Sequence, residues 1–399
     1  MIGITKLLCG TATPGDALRY GRDSSRLPAH LLQFSADKKP IVVWNSTLRC
    51  NLRCIHCYAS ATTDRDPNEL STEEGRKLID DVAEFGAPVL LFSGGEPLTR
   101  PDVIELATYA HGKGLRVVLS TNGNLITKPM ARKLKDAGFS YIGVSLDGIG
   151  AENDYFRGKK GAFDAALRGI RNCVDIDLKA GLRCTMNALN FHALGPLLDL
   201  VESENINRVC FYHLVYAGRG NDLRHKALIQ EQSRAALDLI MDRTLDFHRR
   251  GLEKDVLTVD NHCDGVYLYL RLLKTQPERA AEVLQLLRWN GGNRSGMGIA
   301  SVDPRGNVHP DQFWWHHSLG NVRERKFGDI WMDTSDPIMA GLKDRLPLLK
   351  GRCGRCKWQD ACGGNFRVRA EAVYNDVWAE DPGCYLTEDE IMDTAGVRA

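Results

Sequence analysis

The stretch that decides the fold is IVVWNSTLRCNLRCIHCY, residues 41–58. Its apolar, β-branched beginning predicts a buried strand. The loop that follows carries Cys50, Cys54 and Cys57 in the spacing C-x3-C-x2-C. Three thiolates can hold three irons of a cubane [4Fe–4S] cluster and leave the fourth iron open for a bound molecule. A structural zinc site needs four ligands, and disulfide frameworks are typical of short secreted chains, so the open cluster is the favoured interpretation.

A second motif, Gly94-Gly95-Glu96-Pro97, follows a predicted buried strand at Val89–Ser93. Two glycines at a strand end let the backbone approach a ligand closely. On its own the segment could be an ordinary turn. Forty residues after the cysteine motif, it indicates a second wall of the same site.

Strand-like runs alternate with helical patterns between residues 41 and 215. The alternation predicts an α/β fold with a parallel sheet, a partial (β/α)6 TIM-like barrel that is open on one side. The predicted strands are Ile41–Asn45, Val89–Ser93, Arg116–Thr121, Tyr141–Leu146, Leu182–Asn187 and Val209–Leu214. In barrels of this kind the active site lies at the carboxyl ends of the strands.

Small polar side chains stand at the ends of three consecutive predicted strands. They are Asn122, Ser145, Asp147, Thr185 and Asn187. Each alone could belong to a turn that ends a strand. Because the carboxyl ends of parallel strands share one rim, the set predicts a common ligand.

The remaining chain divides by pattern into flanking regions. We expect an N-terminal extension at 1–40, the barrel at 41–215, a helical insert at 216–297 and a small α+β domain at 298–399. Helical periodicity marks Arg234–Arg249 and Arg279–Trp289, and the turn at residues 303–307 predicts a β-hairpin.

A second group of cysteines lies near the C-terminus at Cys353, Cys356, Cys362 and Cys384. Four thiolates suit either one fully ligated [4Fe–4S] cluster or one zinc ion. We expect the cluster. Of the other cysteines, Cys184 and Cys210 fall in predicted strands and should be buried core residues.

Composition and charge exclude several classes of function. The chain has 399 residues, 43% of them apolar and 26% charged, with a formal net charge of +1. The balanced charge gives no reason to expect a nucleic acid partner, and no apolar run is long enough to span a bilayer. Without a recognisable secretory signal, we expect a cytoplasmic protein, and we expect a monomer.

Together, the C-x3-C-x2-C and GGEP motifs resemble those of the radical S-adenosylmethionine (SAM) superfamily. The C-terminal cysteines and the hairpin before them resemble its SPASM or Twitch auxiliary-cluster extension. The resemblance implies two [4Fe–4S] clusters and SAM, whose amine and carboxylate chelate the open iron. By the same resemblance, the residues that contact SAM are Gly94, Gly95, Glu96, Pro97, Asn122, Ser145, Asp147, Arg157, Thr185, Asn187 and Leu214.

Further segments, among them His213–Gly220 and Trp289–Asn293, are similar to NirJ-type proteins of modified haem synthesis. The resemblance to the deacetylase branch of that group implies removal of two acetate side chains from didecarboxysirohaem, which gives iron-coproporphyrin III. A reaction of haem d1 synthesis that removes propionates is the alternative. A peptide-modifying radical enzyme and a non-catalytic iron–sulfur electron carrier also stay open. An electron donor such as a ferredoxin or flavodoxin is implied.

An iron tetrapyrrole substrate would need flat apolar faces and cationic or imidazole groups. Trp314 and Trp315 could stack on a macrocycle. Two arginines, Arg219 and Arg294, could clamp carboxylates. Imidazoles that could bind the substrate iron or its carboxylates are His309, His316 and His317. The pattern identifies no protein acid or base.

Overall fold

The computed structural model describes residues 1–10 and 39–392. Most of the predicted N-terminal extension therefore lies outside the described residues. The described chain is built around one eleven-stranded sheet, whose strand order is β1-β8-β7-β6-β5-β4-β3-β2-β9-β10-β11. The strands are β1 Ile2–Gly3, β2 Ile41–Thr47, β3 Val89–Gly94, β4 Arg116–Thr121, β5 Phe139–Ser145, β6 Ala180–Met186, β7 Arg208–His213, β8 Asp255–Val259, β9 Ile299–Val302, β10 Asn307–His309 and β11 Gly320–Asn321.

Strands β2 to β8 lie side by side in chain order and are all parallel. Helices connect them, which confirms the predicted α/β class. The longer helices are Ile4–Cys9, Thr72–Glu84, Val103–Gly112, Lys128–Asp136, Ala151–Arg157, Ala162–Val174, Leu194–Ser203, Gln230–Arg249, Cys263–Thr275, Pro277–Asn290, Phe327–Met332, Pro337–Lys343 and Arg367–Tyr374. Single-turn helices lie at Arg219–Asp222, Gly351–Gly354, Gln359–Cys362 and Glu388–Ile391.

Local sequence explains where the first core helix begins. The Ser71 hydroxyl accepts a hydrogen bond from the Glu74 backbone N–H, and the Glu74 carboxylate accepts one from the Ser71 N–H at 2.8 Å. This reciprocal capping box satisfies two donors that a helix start leaves unpaired. Gly75 in the same helix lets Trp44 of β2 pack closely, because a Cβ there would lie 2.8 Å from the indole ring. The helix is thereby seated on the sheet.

Two differences from the sequence prediction concern the sheet edges. The region 216–297 contains the two predicted helices and also β8, a seventh parallel strand that the prediction missed. The predicted hairpin is present as β9 and β10, but β9 pairs in parallel with β2. The hairpin therefore extends the core sheet beside the strand that leads into the cysteine loop, and it places the C-terminal region next to that loop.

The core consists of buried apolar side chains from strands and helices, including Phe92, Phe211 and Phe327. Cys184 and Cys210 belong to it, as expected. Among residues 1–10 and 39–392, no helix is both long and apolar enough to cross a membrane.

Candidate active site

A cavity open to solvent lies at the carboxyl ends of β3 to β8, and its empty space, with the solvent at its mouth included, is about 1050 Å³. Its position is the one that the barrel prediction requires. The lining residues are Cys50, Leu52, Cys54, His56, Cys57, Tyr58, Ala61, Ser93, Gly94, Gly95, Ser120, Thr121, Asn122, Ser145, Arg157, Arg183, Thr185, Tyr212, His213, Leu214, Val215, Arg219, Asp260, Gln312 and Phe313. The two sequence motifs therefore meet at one site, together with side chains from five further strand ends.

The cysteine loop and the glycine motif are in direct backbone contact. Gly95 N–H donates to Thr47 O at 2.7 Å, and Glu96 N–H donates to Arg49 O at 2.8 Å. Gly94 has φ of +121°, and a Cβ there would lie 2.5 Å from Thr47 O. Only glycine tolerates both this backbone conformation and this approach. The glycines thus set the distance between the two walls.

A third segment fastens the cysteine loop from the other side. The Arg219 guanidinium donates to Cys54 O at 2.8 Å and to Ala61 O at 3.1 Å, and its backbone N–H donates to Cys57 O at 3.0 Å. Gly218, at φ of +52°, allows this approach because its missing Cβ would collide with Tyr58 O. Arg219 was predicted to clamp substrate. The structure uses its Nε and one Nη on the loop, while the other Nη has no hydrogen-bond partner. The residue lines the cavity, and its contact with substrate stays a prediction.

The three cysteines fit an iron–sulfur cluster in their surroundings. Cys50 Sγ accepts from Leu52 N–H at 3.4 Å, and Cys54 Sγ accepts from an Arg157 guanidinium N–H at 3.6 Å. Donors of this kind stabilise thiolate ligands and tune a cluster. Burial raises the pKa of Cys50 to about 12 and also raises that of Cys54. Iron binding would have to displace these protons.

Glu96 is fully buried behind the cavity wall. Its carboxylate accepts from the Thr121 hydroxyl at 2.8 Å and from the Asn122 N–H at 2.8 Å. Burial raises the pKa of this carboxyl to about 7 despite these donors. The residue therefore ties the end of β3 to the end of β4, while the cavity surface of the motif comes from Gly94 and Gly95.

Asp147 and Arg157 form an ion pair beside the cysteine loop. The same carboxylate lies 3.2 Å from His56 Nε2 and accepts from Thr185 N–H at 2.7 Å. Burial opposes ionisation of Asp147, but Arg157 and His56 outweigh it and hold its pKa at about 2. Arg157 lines the cavity and Asp147 lies just behind it, so the pair positions one guanidinium at the cluster loop.

Of the other residues predicted to contact SAM, some line the cavity and others lie behind its wall. Ser145, Thr185, Asn122 and Leu214 line the cavity. Asn187 does not, and its amide donates to Thr185 O at 3.1 Å while its carbonyl accepts from Leu189 N–H. Pro97 begins a short 3₁₀ turn at Pro97–Thr99 behind the wall. The assignment of these residues to SAM stays a prediction.

The four C-terminal cysteines surround a second cavity of about 440 Å³. Cys356 Sγ accepts from Trp358 N–H at 3.4 Å, and an Arg367 N–H points at Cys353 Sγ from 3.8 Å. A fifth thiol, Cys263, lines the same space, and a hydrogen bond from it lowers the pKa of Cys384.

The spacing of these cysteines bears on the choice between zinc and a cluster. Within residues 1–10 and 39–392, no three His, Cys, Asp or Glu side chains converge tightly enough for a single metal ion. A cubane holds its four ligands around a larger body than one ion does. The presence of a cluster and not zinc at this site stays a prediction.

The predicted tetrapyrrole ligands occupy packing positions outside the cavity lining. His309 is 1% exposed and donates from Nδ1 to His317 O at 2.7 Å. Trp314 is fully buried, with its indole N–H on Glu371. The ring of Trp315 stacks on His309 with centroids 6.5 Å apart.

The other predicted substrate residues are also engaged elsewhere. His316 Nε2 lies 3.0 Å from Glu371 and His317 Nε2 lies 3.1 Å from Asp336. Arg294 is largely buried beside Gly298 and does not line the cavity. Gln312 and Phe313, which directly precede Trp314 in the chain, do line the cavity.

The cavity residues that the prediction missed include four with ionisable side chains on or after the last three parallel strands. Arg183 and Tyr212 point inward from β6 and β7, His213 ends β7, and Asp260 follows β8. The available signal was a charged residue inside the buried strand at Leu182–Asn187. For Asp260 there was none, because β8 itself was not predicted.

Asp260 combines three unusual properties. It is 8% exposed, its backbone is left-handed at φ of +64°, and burial raises the pKa of its carboxyl to about 7. The N-terminal amine, Arg369 and His213 only partly offset the effect of burial. Such a conformation in a residue other than glycine is frequent at functional sites.

Comparisons with known proteins agree with this geometry. The Radical SAM superfamily sequence model matches residues 44–199. Fe-coproporphyrin III synthase of Methanosarcina barkeri is 63% identical over 98% of this chain and 99% of that protein. Pre-heme d1 synthase of Dinoroseobacter shibae is 42% identical over 88% of this chain and 87% of that protein.

Among solved structures, Streptococcus suis SuiB bound to its precursor peptide SuiA has a TM-score of 0.68. It is 16% identical and covers 87% of this chain and 76% of its own, which shows a shared fold. With the cysteine loop, the glycine motif and the parallel sheet in place, the chain belongs to the radical SAM superfamily, whose enzymes use a [4Fe–4S] cluster and SAM.

Proposed function

We propose that this enzyme removes the two acetate side chains of didecarboxysirohaem and thereby forms iron-coproporphyrin III. The observation that carries the proposal is the 63% identity to Fe-coproporphyrin III synthase over nearly the full length of both chains. The cavity supports it, because one open site lies at the strand ends next to the cysteine loop.

The residues of the cavity have separable tasks. When bound, the cluster and SAM supply a 5′-deoxyadenosyl radical that can take a hydrogen atom from a substrate. Cys50, Cys54 and Cys57 would hold the cluster, and Gly94 with Gly95 leave room for the SAM amine. Part of the cavity wall is aromatic and apolar, which helps to exclude water.

That aromatic wall is assembled from distant parts of the chain. The rings of Tyr58 and Phe313 meet edge to face with centroids 5.2 Å apart. The Tyr58 hydroxyl is fixed by Asn45 Oδ1 at 2.8 Å and Ser93 at 3.0 Å. Leu214 and Val215 continue the apolar surface. A flat macrocycle matches such a surface better than a polar substrate does.

The second cysteine site is connected to the cavity through packed polar groups. His213 lines the cavity, its Nε2 lies 3.1 Å from Asp264 Oδ2, and Tyr385 donates to Asp264 Oδ1 at 2.7 Å. Tyr385 follows Cys384 in the chain. We infer that the four C-terminal cysteines hold one auxiliary [4Fe–4S] cluster, which would supply one-electron exchange to this side of the cavity.

Removal of propionates in haem d1 synthesis is the second candidate. It rests on the 42% identity to pre-heme d1 synthase. A peptide-modifying role has no comparable support, because the likeness to SuiB at 16% identity reaches only the fold.

The test is a pair of anaerobic incubations of the reconstituted enzyme with SAM and a strong reductant. One contains didecarboxysirohaem and the other contains the same macrocycle with its acetates replaced by methyl groups. Mass analysis should show loss of both acetates in the first and no change in the second. Loss of propionates in either incubation would favour the haem d1 reaction, and an unchanged macrocycle in the first would contradict the proposal.

The proposal also covers the electron donor, the oligomeric state and the location of the enzyme. The electron for SAM cleavage would come from a small iron–sulfur or flavin protein such as a ferredoxin or flavodoxin. The enzyme would act as a monomer in the cytoplasm. Size-exclusion chromatography of the reconstituted enzyme with a light-scattering detector tests the oligomeric state.

A further inference from the structure

Three arginines line the cavity, and they differ in how their charge is balanced. Arg157 is paired with Asp147. Arg219 is bound to two backbone carbonyls of the cysteine loop. Arg183 has no ion pair with any carboxylate among the residues that the structure describes. Its guanidinium donates a hydrogen bond to the Ser120 hydroxyl at 2.7 Å.

The surroundings of Arg183 are polar but neutral. Its Cζ lies 6.0 Å from the centre of the Tyr212 ring, and the Tyr141 ring is nearby on β5. Burial raises the pKa of both tyrosines well above the ordinary value. They are therefore uncharged at neutral pH, and they cannot balance a guanidinium that stays charged in proteins.

The sheet is shaped to receive this side chain. Gly143 lies on the neighbouring strand β5, and a Cβ at that position would come within 2.6 Å of Arg183 Cζ. Any other residue at 143 would displace the guanidinium. The Nε of Arg183 is buried without a hydrogen-bond partner. The side chain as a whole is half-buried on the cavity wall, and a cation without a counter-charge in such a place favours a ligand of opposite charge.

We propose that Arg183 binds a carboxylate of the tetrapyrrole substrate at the floor of the cavity, and so orients one side chain toward the cysteine loop. This inference rests on the proposed function. It assigns to β6 the carboxylate contact that sequence reasoning placed on Arg219 and Arg294. Arg183 stands beside Ser145 in the sheet register and two residues before Thr185 on the same strand face. The bound carboxylate would thus lie below the predicted SAM residues.

A carboxylate is also part of SAM, so the test must separate the two sources. Three variants of the reconstituted holoenzyme are compared with wild type under anaerobic conditions. Arg183→Gln removes the charge, and Arg183→Lys retains it without the bidentate geometry. Arg208→Gln is the matched control, because Arg208 lies on adjacent β7 but is paired with Asp255 and does not line the cavity.

Two quantities are measured for each protein. The first is the dissociation constant of didecarboxysirohaem, from its absorption spectrum. The second is SAM binding together with 5′-deoxyadenosine formation in the absence of tetrapyrrole. Arg183→Gln should weaken tetrapyrrole binding by about ten- to hundredfold, since hydrogen bonds to charged groups are strong, and leave both SAM measurements unchanged. Arg183→Lys should recover part of the loss, and Arg208→Gln should match wild type.

A substrate variant makes the assignment specific to a carboxylate. The tetrapyrrole with all its acetates and propionates converted to methyl esters should bind wild type more weakly. Esterification should cost less affinity in Arg183→Gln than in wild type. Iron content and circular dichroism equal to wild type would show that the variants are folded.

The possible outcomes separate this inference from the proposed function. Loss of SAM binding in Arg183→Gln would assign the residue to the SAM carboxylate and overturn the inference. Equal tetrapyrrole affinity of wild type and Arg183→Gln would overturn it as well. Failure of wild type to bind the tetrapyrrole at all would contradict the proposed function instead.

Discussion

At the scale of single residues, the cavity and its wall bring together carboxyl groups with very different pKa values. Asp147 stays ionised because Arg157 and His56 hold its pKa at about 2. Glu96 and Asp260 are buried with pKa values raised to about 7. Environment, and not residue type, therefore decides which carboxyl is charged near neutral pH.

Asp260 gives a pH-dependent prediction of stability. A carboxyl whose pKa is raised in the folded state loses stabilisation as the pH rises from about 4 through its folded value near 7. Asp260→Asn removes this loss. Its melting temperature should exceed that of wild type at pH 8, and the advantage should shrink at pH 5.5, a change of about 2 kcal/mol in the free energy of unfolding.

Thermal melts of both proteins across this pH range check the prediction. Asp136→Asn, which changes an exposed carboxylate, serves as the control. An advantage of Asp260→Asn that is the same at every pH would show that Asp260 is ionised throughout, and the assigned burial effect would be wrong.

The cysteine loop gives a second prediction for a single residue. Cys54→Ala should abolish 5′-deoxyadenosine formation, because three thiolates are the minimum that holds the cluster with one iron open. Cys173→Ala is a suitable control, since Cys173 is a fully buried core thiol far from both sites in sequence. Continued SAM cleavage by Cys54→Ala would show that this loop does not hold the cluster that cleaves SAM.

At the scale of elements, three segments meet to hold one loop. The glycine motif at the end of β3 contacts the cysteine loop. The hairpin strand β9 pairs with β2, which precedes the loop. The turn at 218–219 is hydrogen-bonded to the loop from the other side. Each contact uses backbone groups of the loop, and Arg219 adds its guanidinium. Single substitutions in these segments should therefore reduce iron binding at the loop while the hydrophobic core stays folded.

Arg219→Ala tests this view of the loop. It removes the side-chain donors to Cys54 O and Ala61 O, so iron should fall from about eight per chain toward about four and SAM cleavage should fall with it. Arg224→Ala, an exposed change five residues on, is the control. Full iron content with weakened tetrapyrrole binding would instead support the original assignment of Arg219 to the substrate.

The elements also show what the sequence could and could not predict. The six strands were predictable because each is a short apolar run between helical patterns, and their ends carried motifs. β8 was not, because five residues between two helices give little periodic signal. The roles of His309, His316 and His317 depend on Asp303, Glu371 and Asp336, and those partners come together only in the folded chain. Arg183 likewise depends on Gly143 from another strand.

At the scale of the whole molecule, one sheet carries both cysteine sites toward a single cavity. The first site follows β2, and the second packs behind β7 and the helix Cys263–Thr275 through Asp264 and Tyr385. We therefore expect both sites to serve one reaction. A substitution at one site should stop only the step that this site supports.

Cys356→Ala tests this division. We expect SAM cleavage to persist while formation of the tetrapyrrole product stops, because the altered cysteine belongs only to the second site. Iron analysis should show loss of about half the metal. A parallel loss of both activities in a folded variant would mean that the second site supports the first.

The most direct measurement counts 5′-deoxyadenosine and iron-coproporphyrin III in one anaerobic incubation of the wild-type enzyme with didecarboxysirohaem, SAM and reductant. If each acetate is removed by one radical formed at the cysteine loop, about two molecules of 5′-deoxyadenosine should form per molecule of product. Iron-coproporphyrin III that appears without SAM cleavage, or SAM cleavage that leaves both acetates in place, would contradict the account.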